Sequence, residues 1–275
     1  MNDNKEIKRV VIIHVHMFKN AGTTFDWSLN KNFGDSFIDH RDDAEMRKGA
    51  KYLGPFLEKN YINAISSHHI KLPLPDSNKL TLLPVFILRN PIDRIGSVYA
   101  FEKKNKSNSL GAIMAKKMPF KDFVSWYMEM RNPASIRDFQ TRYCTGNIGT
   151  NRPMNEKDYQ YSLKQLHDTS LVGIVDLYDK SMVVFEQTLK SYFPSIDLSY
   201  IKQNINKRQQ KTLEDRISDI KNDLGKELLP LVMENNKFDL MLYNEAKKLV
   251  ISRASKISDF DNKLENLKKR NLGNR

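Results

Sequence analysis

Lys19 and the residues after it, Asn20-Ala21-Gly22-Thr23-Thr24, form the first group in this 275-residue chain whose types and spacing could do chemistry. A compact ammonium beside a glycine and two hydroxyls suits an anion whose charge grows during reaction. Backbone amides over the same residues could cradle phosphate oxygens. The order of residues matters. The Walker A pattern needs lysine directly after the second glycine, and here lysine precedes glycine, so ordinary ATPase chemistry does not follow. Arg89 and Ser97, eight residues apart, could embrace a second phosphate, with Arg94 a less secure partner. His68 and His69 are the candidate bases, because an imidazole with a pKa near 6.5 can take a proton from a hydroxyl near neutral pH. At a strand-to-loop transition the two rings point in different directions, so only one of them serves. His14 and His16 share one strand face and read as hydrogen-bonded core or rim histidines, with no third ligand evident nearby to complete a metal site.

These groups need elements to hold them. Val10 to Val15 is a nearly unbroken β-branched run, the pattern of a strand covered on both faces in a parallel sheet. It feeds the Lys19 loop and then a helix, which Thr23 and Thr24 are placed to cap. A strand, a small-residue loop and a helix N-terminus together are suited to phosphate: unpaired N–H groups point at the anion and the helix dipole favours its charge. Tyr61 to Ser66 reads as a second strand ending at the histidine pair. Leu82 to Leu88 reads as a third, delivering Arg89 at its end, with a helix from Ile92 to Phe101. Residues 35–51 are polar and charged, and read as loop giving way to a helix through Ala44 to Leu53. A further strand fits Leu171 to Val175, and late helices fit Leu213 to Glu234 and Asp239 to Ala254, broken near Pro230. In an open α/β sheet ligands collect beyond the C-terminal strand ends, where these groups fall.

Composition narrows the class. Hydrophobic residues at 40% and charged residues at 28% describe a folded globular chain. The single cysteine, Cys144, excludes an internal disulfide framework. No apolar run is long enough for a membrane span, and the polar N-terminus leads straight into a strand, so the expected location is the cytoplasm. The net charge of +12 invites a nucleic-acid reading. However, half of it lies in the last 29 residues, where nine Lys or Arg meet three Asp or Glu. No zinc-finger, RNA-binding or helix-turn-helix pattern supports that reading, so no nucleic-acid partner is expected.

The stretch HVHMFKNAGTT, from His14 to Thr24, resembles the 5′-phosphosulfate loop of sulfotransferases that use 3′-phosphoadenosine 5′-phosphosulfate (PAPS). It is closest to the carbohydrate 2-O-sulfotransferase-like branch, whose loops read His-x-Pro-Lys-Thr-Ala-Gly-Thr-Ser. Phe18 stands in place of the proline and Asn20 in place of a hydroxyl residue. FILRNPIDRIGSVYAFE, from Phe86 to Glu102, resembles the 3′-phosphate strand and helix of the same family. The resemblance implies a P-loop-like three-layer α/β/α sandwich with a mainly parallel sheet, spanning residues 1–250, followed by a basic helix or tail at 251–275. It implies that Lys19, Asn20, Ala21, Gly22, Thr23 and Thr24 hold the 5′-phosphosulfate, and that Arg89 and Ser97 hold the 3′-phosphate. Lys207 and Arg208 would lie in a loop closing over the nucleotide. His68 would be the base, with His69 in reserve, and no metal is required. The acceptor implied is a hydroxyl, on a glycan or another molecule. The rival readings are a nucleotide or small-molecule kinase, which lacks its lysine-hydroxyl pair and a convincing acidic magnesium site, and a basic nucleic-acid-binding protein.

Overall fold

A computed structural model describes residues 8–169, 171–203 and 210–274. Five parallel strands form one sheet: β1 (Arg9–Val15), β2 (Phe37–Asp39), β3 (Ala64–Ser67), β4 (Leu80–Leu88) and β5 (Leu171–Ile174), in the order β2-β3-β1-β4-β5. The central strand β1 pairs with β3 through Ile12↔Ala64 and with β4 through His14↔Val85. Its β-branched run explains its place. Val11, Ile12, Ile13 and Val15 are buried on both faces of the sheet, which only a central strand between two helical layers allows.

On one face Val11, Ile13 and Val15 join a core with Leu53 and Leu57 of α3 (Ala50–Lys59), Leu166 of α8 (Glu156–Asp168) and Leu242 and Val250 of α11 (Lys237–Ser255). On the other face Ile12, Val85 and Ile87 pack on Phe25 and Leu29 of α1 (Gly22–Phe33) and Phe185 of α9 (Tyr178–Leu189). Leu267 of α12 (Phe260–Gly273) also belongs to this second core. The protein is therefore a three-layer α/β/α sandwich. Beyond the sheet, a third core joins α4 (Pro91–Lys104), α6 (Phe120–Met128) and α10 (Leu213–Glu234) through Ile95, Phe123 and Leu224.

Several local expectations are corrected. The region of residues 35–51 contains β2, a three-residue edge strand too short for any periodic signal. The helix expected from Ala44 to Leu53 is two helices, α2 (Asp43–Met46) and α3, separated at Gly49, whose φ of 65° suits glycine. Thr23 and Thr24 do not cap α1: the cap is Ala21, so both threonines sit in the first turn. The break in α10 falls at Gly225, where φ is 68°, and not at Pro230. Pro84 is tolerated inside β4 because the ladder to β5 begins one residue later, at Val85↔Leu171. Residue 250 lies within α11, and the segment after it packs on the body. Arg270 contacts Glu186 at 2.8 Å, and Asn271 Oδ1 accepts the Tyr200 amide at 2.8 Å. Among the described residues no helix is long and apolar enough to cross a membrane.

Candidate functional site

The chain leaves β1 to one side of the sheet and leaves β4 to the other, so a crevice opens between their C-terminal ends. The Lys19 loop follows β1 and Arg89 follows β4, which places both at that crevice. Two residues of the loop have left-handed φ, 66° at Lys19 and 60° at Ala21. For residues with a Cβ this costs about 1–2 kcal/mol each, and such strain persists only where surroundings hold it. Here they do. Asn20, buried, donates through Nδ2 to Ile87 O at 2.9 Å and to Gln140 Oε1 at 2.7 Å. Arg89 Nη1 donates to Lys19 O at 3.0 Å, and Arg94 Nε donates to Phe18 O at 3.0 Å. Two carbonyls of the turn are thus held by guanidiniums. The Gly22 and Thr23 amides open α1 with no acceptor within the helix.

Gly22 is required by close approach. A Cβ there would stand 2.2 Å from Cδ2 of the His16 ring, which is itself buried. Gly22→Ala is expected to cost about 1–3 kcal/mol of stability, the usual penalty of overpacking. Urea unfolding would read it, and an unchanged midpoint would mean that the ring yields freely.

Lys19 lines a cleft of about 1080 Å³, with Nζ 4.6 Å from the centre of the Phe101 ring. Burial, and then the charges of Arg89 and Arg94, bring its pKa down to about 8. Nine Lys or Arg side chains line this cleft against three Asp or Glu, which favours an anionic ligand. Across from Lys19, Asp93 joins two guanidiniums: Arg89 Nε at 2.8 Å and Arg216 Nε at 2.8 Å. Burial would raise the Asp93 carboxyl, but the two arginines outweigh it and hold it below its ordinary value. Ser97, one helical turn beyond Asp93, lines the same cleft. Arg94 does not join them. It is buried, donates to Ser135 O at 2.8 Å and lies 3.7 Å from the centre of the Phe139 ring.

His68 reaches the cleft and His69 does not. His68 Nδ1 lies 2.6 Å from His16 O. A carbonyl only accepts, so Nδ1 carries the proton and Nε2 keeps its lone pair. Burial, followed by the neighbouring His16, pulls the His68 pKa down to about 4, so the ring is neutral across the physiological range. His69 turns toward α2, with Nε2 2.9 Å from Asp43 Oδ2. Behind His68, the His16 ring lies 4.1 Å away centre to centre. Asp26 ties the two strand histidines together: His14 Nδ1 donates to Oδ1 at 2.7 Å, and His16 Nδ1 lies 2.9 Å from Oδ2. Burial would raise the Asp26 carboxyl, but His14 and His16 overcome it and hold it far below the usual carboxylate range. These three residues bring their ligand atoms within 4.8 Å of one another, a donor set of the kind that can hold a divalent cation. Asp26 is thus the third group that strand spacing alone did not supply.

No family model matches the chain. It is 30% identical over 255 residues to an uncharacterized protein of Archaeoglobus fulgidus, a match covering 87% of this chain and 96% of the archaeal one. The chain belongs to the family of that archaeal protein.

Of the residues singled out in the sequence, Lys19, Ala21, Gly22, Thr23, Thr24, His68, Arg89 and Ser97 line one cleft. Asn20 holds the loop from behind. Lys207 and Arg208 lie outside the described residues. Asp26, Asp93, Arg216 and Gln140 were missed. Asp26 and Asp93 carried a usable signal, since each falls in the first or second turn of a helix that follows a candidate ligand loop. Arg216 comes from a helix 123 residues after its partner Asp93, and no local pattern marks it.

Proposed function

We propose that this protein is a PAPS-dependent sulfotransferase acting on a hydroxyl acceptor, with a glycan the favoured class. The observation that carries the reading is the strained Lys19–Ala21 turn at the start of α1, which lines one cleft together with Arg89, Ser97 and Arg216. One end of the crevice suits a phosphosulfate and the other a 3′-phosphate. This reading extends the three-layer fold to a P-loop-like sulfotransferase sandwich.

In the proposed step, His68 Nε2 takes the acceptor hydroxyl proton and the oxygen attacks sulfur in line. The bond from sulfur to the bridging phosphate oxygen breaks, and adenosine 3′,5′-bisphosphate leaves. Lys19 and the Gly22 and Thr23 amides meet the charge that grows on the departing phosphate, the kind of prearranged electrostatics that often supplies the largest catalytic term. The transfer so written needs no metal, and the His14–Asp26–His16 group serves to set the His16 carbonyl that orients His68.

Calorimetry with adenosine 3′,5′-bisphosphate, adenosine 5′-monophosphate and ATP tests the reading. Tight binding of the bisphosphate alone is expected. Arg89→Gln should weaken it at least about tenfold, since hydrogen bonds to charged groups are worth about 1.5–3 kcal/mol, and leave the monophosphate unchanged. Equal affinity for all three nucleotides would sink the proposal.

A further inference from the structure

A second cavity, of about 210 Å³, lies apart from the crevice at the junction of α10 and α11. It has room for roughly seven waters at about 30 Å³ each. Arg137 and Arg142 line it, and both are 4% exposed. Buried charges are normally paired. Among the described residues, however, neither guanidinium has a carboxylate within ion-pair distance, and each has an Nε with no acceptor. Their other N–H groups meet only neutral atoms. Arg137 donates through Nη2 to Asn132 O at 2.6 Å, while its Nη1 faces the Met130 thioether, a weak acceptor. Arg142 donates to Thr150 Oγ1 at 3.0 Å and to Arg152 O at 2.9 Å. The first turn of α11, at Lys237 and Phe238, closes one wall and adds the positive end of a 19-residue helix.

Among the described residues, no acidic group at this cavity pairs directly with the two arginines. Glu234 is taken by Lys237 at 2.5 Å. Asp138 Oδ1 accepts the Asp239 amide at 2.9 Å, and Asp239 in turn accepts the Gln140 and Thr141 amides. Burial, and then the charge of Asp239, push the Asp138 carboxyl well above its ordinary value. Arg137 is lowered by burial alone, and Arg142 by burial and then by Arg137, an effect that Asp239 and Asp138 oppose without reversing. The cavity is therefore lined by two buried guanidiniums that, among the described residues, have open donors and no carboxylate within ion-pair distance.

We propose that this cavity is an anion-binding site, in which Arg137 and Arg142 hold a small oxyanion of the phosphate or sulfate class. Guanidinium forks match the geometry of such groups. The anion would take the unused Nε and the N–H now facing the thioether. Free or carried on a sugar, the group recognised is the tetrahedral oxyanion. The site is independent of the nucleotide reading of the crevice.

The test titrates the full chain with inorganic phosphate, inorganic sulfate and glucose 6-sulfate at constant ionic strength, read by calorimetry. Three variants decide where binding occurs. Arg142→Gln removes one fork. Asn151→Asp places a carboxylate on the cavity wall, while an oxygen remains to accept the Ala134 amide as Asn151 Oδ1 does now at 3.2 Å, so this variant keeps its fold. Arg89→Gln disables the crevice instead. Expected is saturable binding that survives Arg89→Gln and weakens at least about tenfold in Asn151→Asp and Arg142→Gln, as like charge or a lost donor requires. A preference for glucose 6-sulfate over the free ions would identify a carried group, and the reverse a free ion. Absence of saturable binding in the unaltered chain would overturn the proposal. So would binding unchanged by Asn151→Asp, or binding lost only in Arg89→Gln.

Discussion

Lys19→Met is expected to lower turnover by about 10²–10³-fold, the usual loss when one donor to a developing oxyanion is removed. The side chain is well placed for that role. Its ammonium lies over Phe101 beside a strained turn. Burial and the charges of Arg89 and Arg94 hold its pKa near 8. A phosphate group entering the loop would relieve that strain, so binding should draw a proton onto Lys19 at pH values near 8. Calorimetry in buffers of different ionisation enthalpy would show this proton uptake in the unaltered chain and not in Lys19→Met. If turnover in Lys19→Met stays within a few-fold of normal, Lys19 does not face the leaving group.

His68→Ala is expected to remove about 10²–10⁴-fold of the transfer rate, the range for a positioned general base, with nucleotide binding intact. The pH dependence is the sharper test. A base with pKa near 4 stays unprotonated well below the ordinary histidine value, and Lys19 loses its proton near 8. The pH profile of kcat/KM should therefore be a broad bell, falling only toward pH 4 and above pH 8. Lys19→Arg should remove the basic limb, because a guanidinium stays charged. Stability follows the same sign. The folded His68 pKa is depressed below its unfolded value, so its contribution is present above about pH 6.5 and lost as pH falls toward 4. A profile with its acid limb at the ordinary histidine value would assign the proton to another group.

The cleft was legible in the sequence because its parts are local. A β-branched run gives a buried central strand wherever it occurs, and a small-residue loop between strand and helix exposes amides whatever packs behind it. Arg89 and Ser97 sit on one strand-to-helix junction and come as a pair. What holds these parts in shape was less visible. Asn20 reads in sequence as a polar loop residue facing the ligand. In the fold it is a buried tie to Ile87 and Gln140, since only the neighbouring strand and α7 (Phe139–Cys144) supply the acceptors that a buried amide needs.

By itself the sequence determined the strand-loop-helix units, the net positive charge and the candidate base pair. The tertiary structure set His68 and His69 apart, because only packing shows that one ring meets the His16 carbonyl and the cleft while the other meets Asp43. It also converted Arg94 from a candidate ligand into a buried support, added Arg216 through Asp93, and left Arg137 and Arg142 facing a cavity without a counter-ion. These outcomes depend on contacts between residues far apart in the chain, where burial and charge pairing are set by the neighbours that folding brings together.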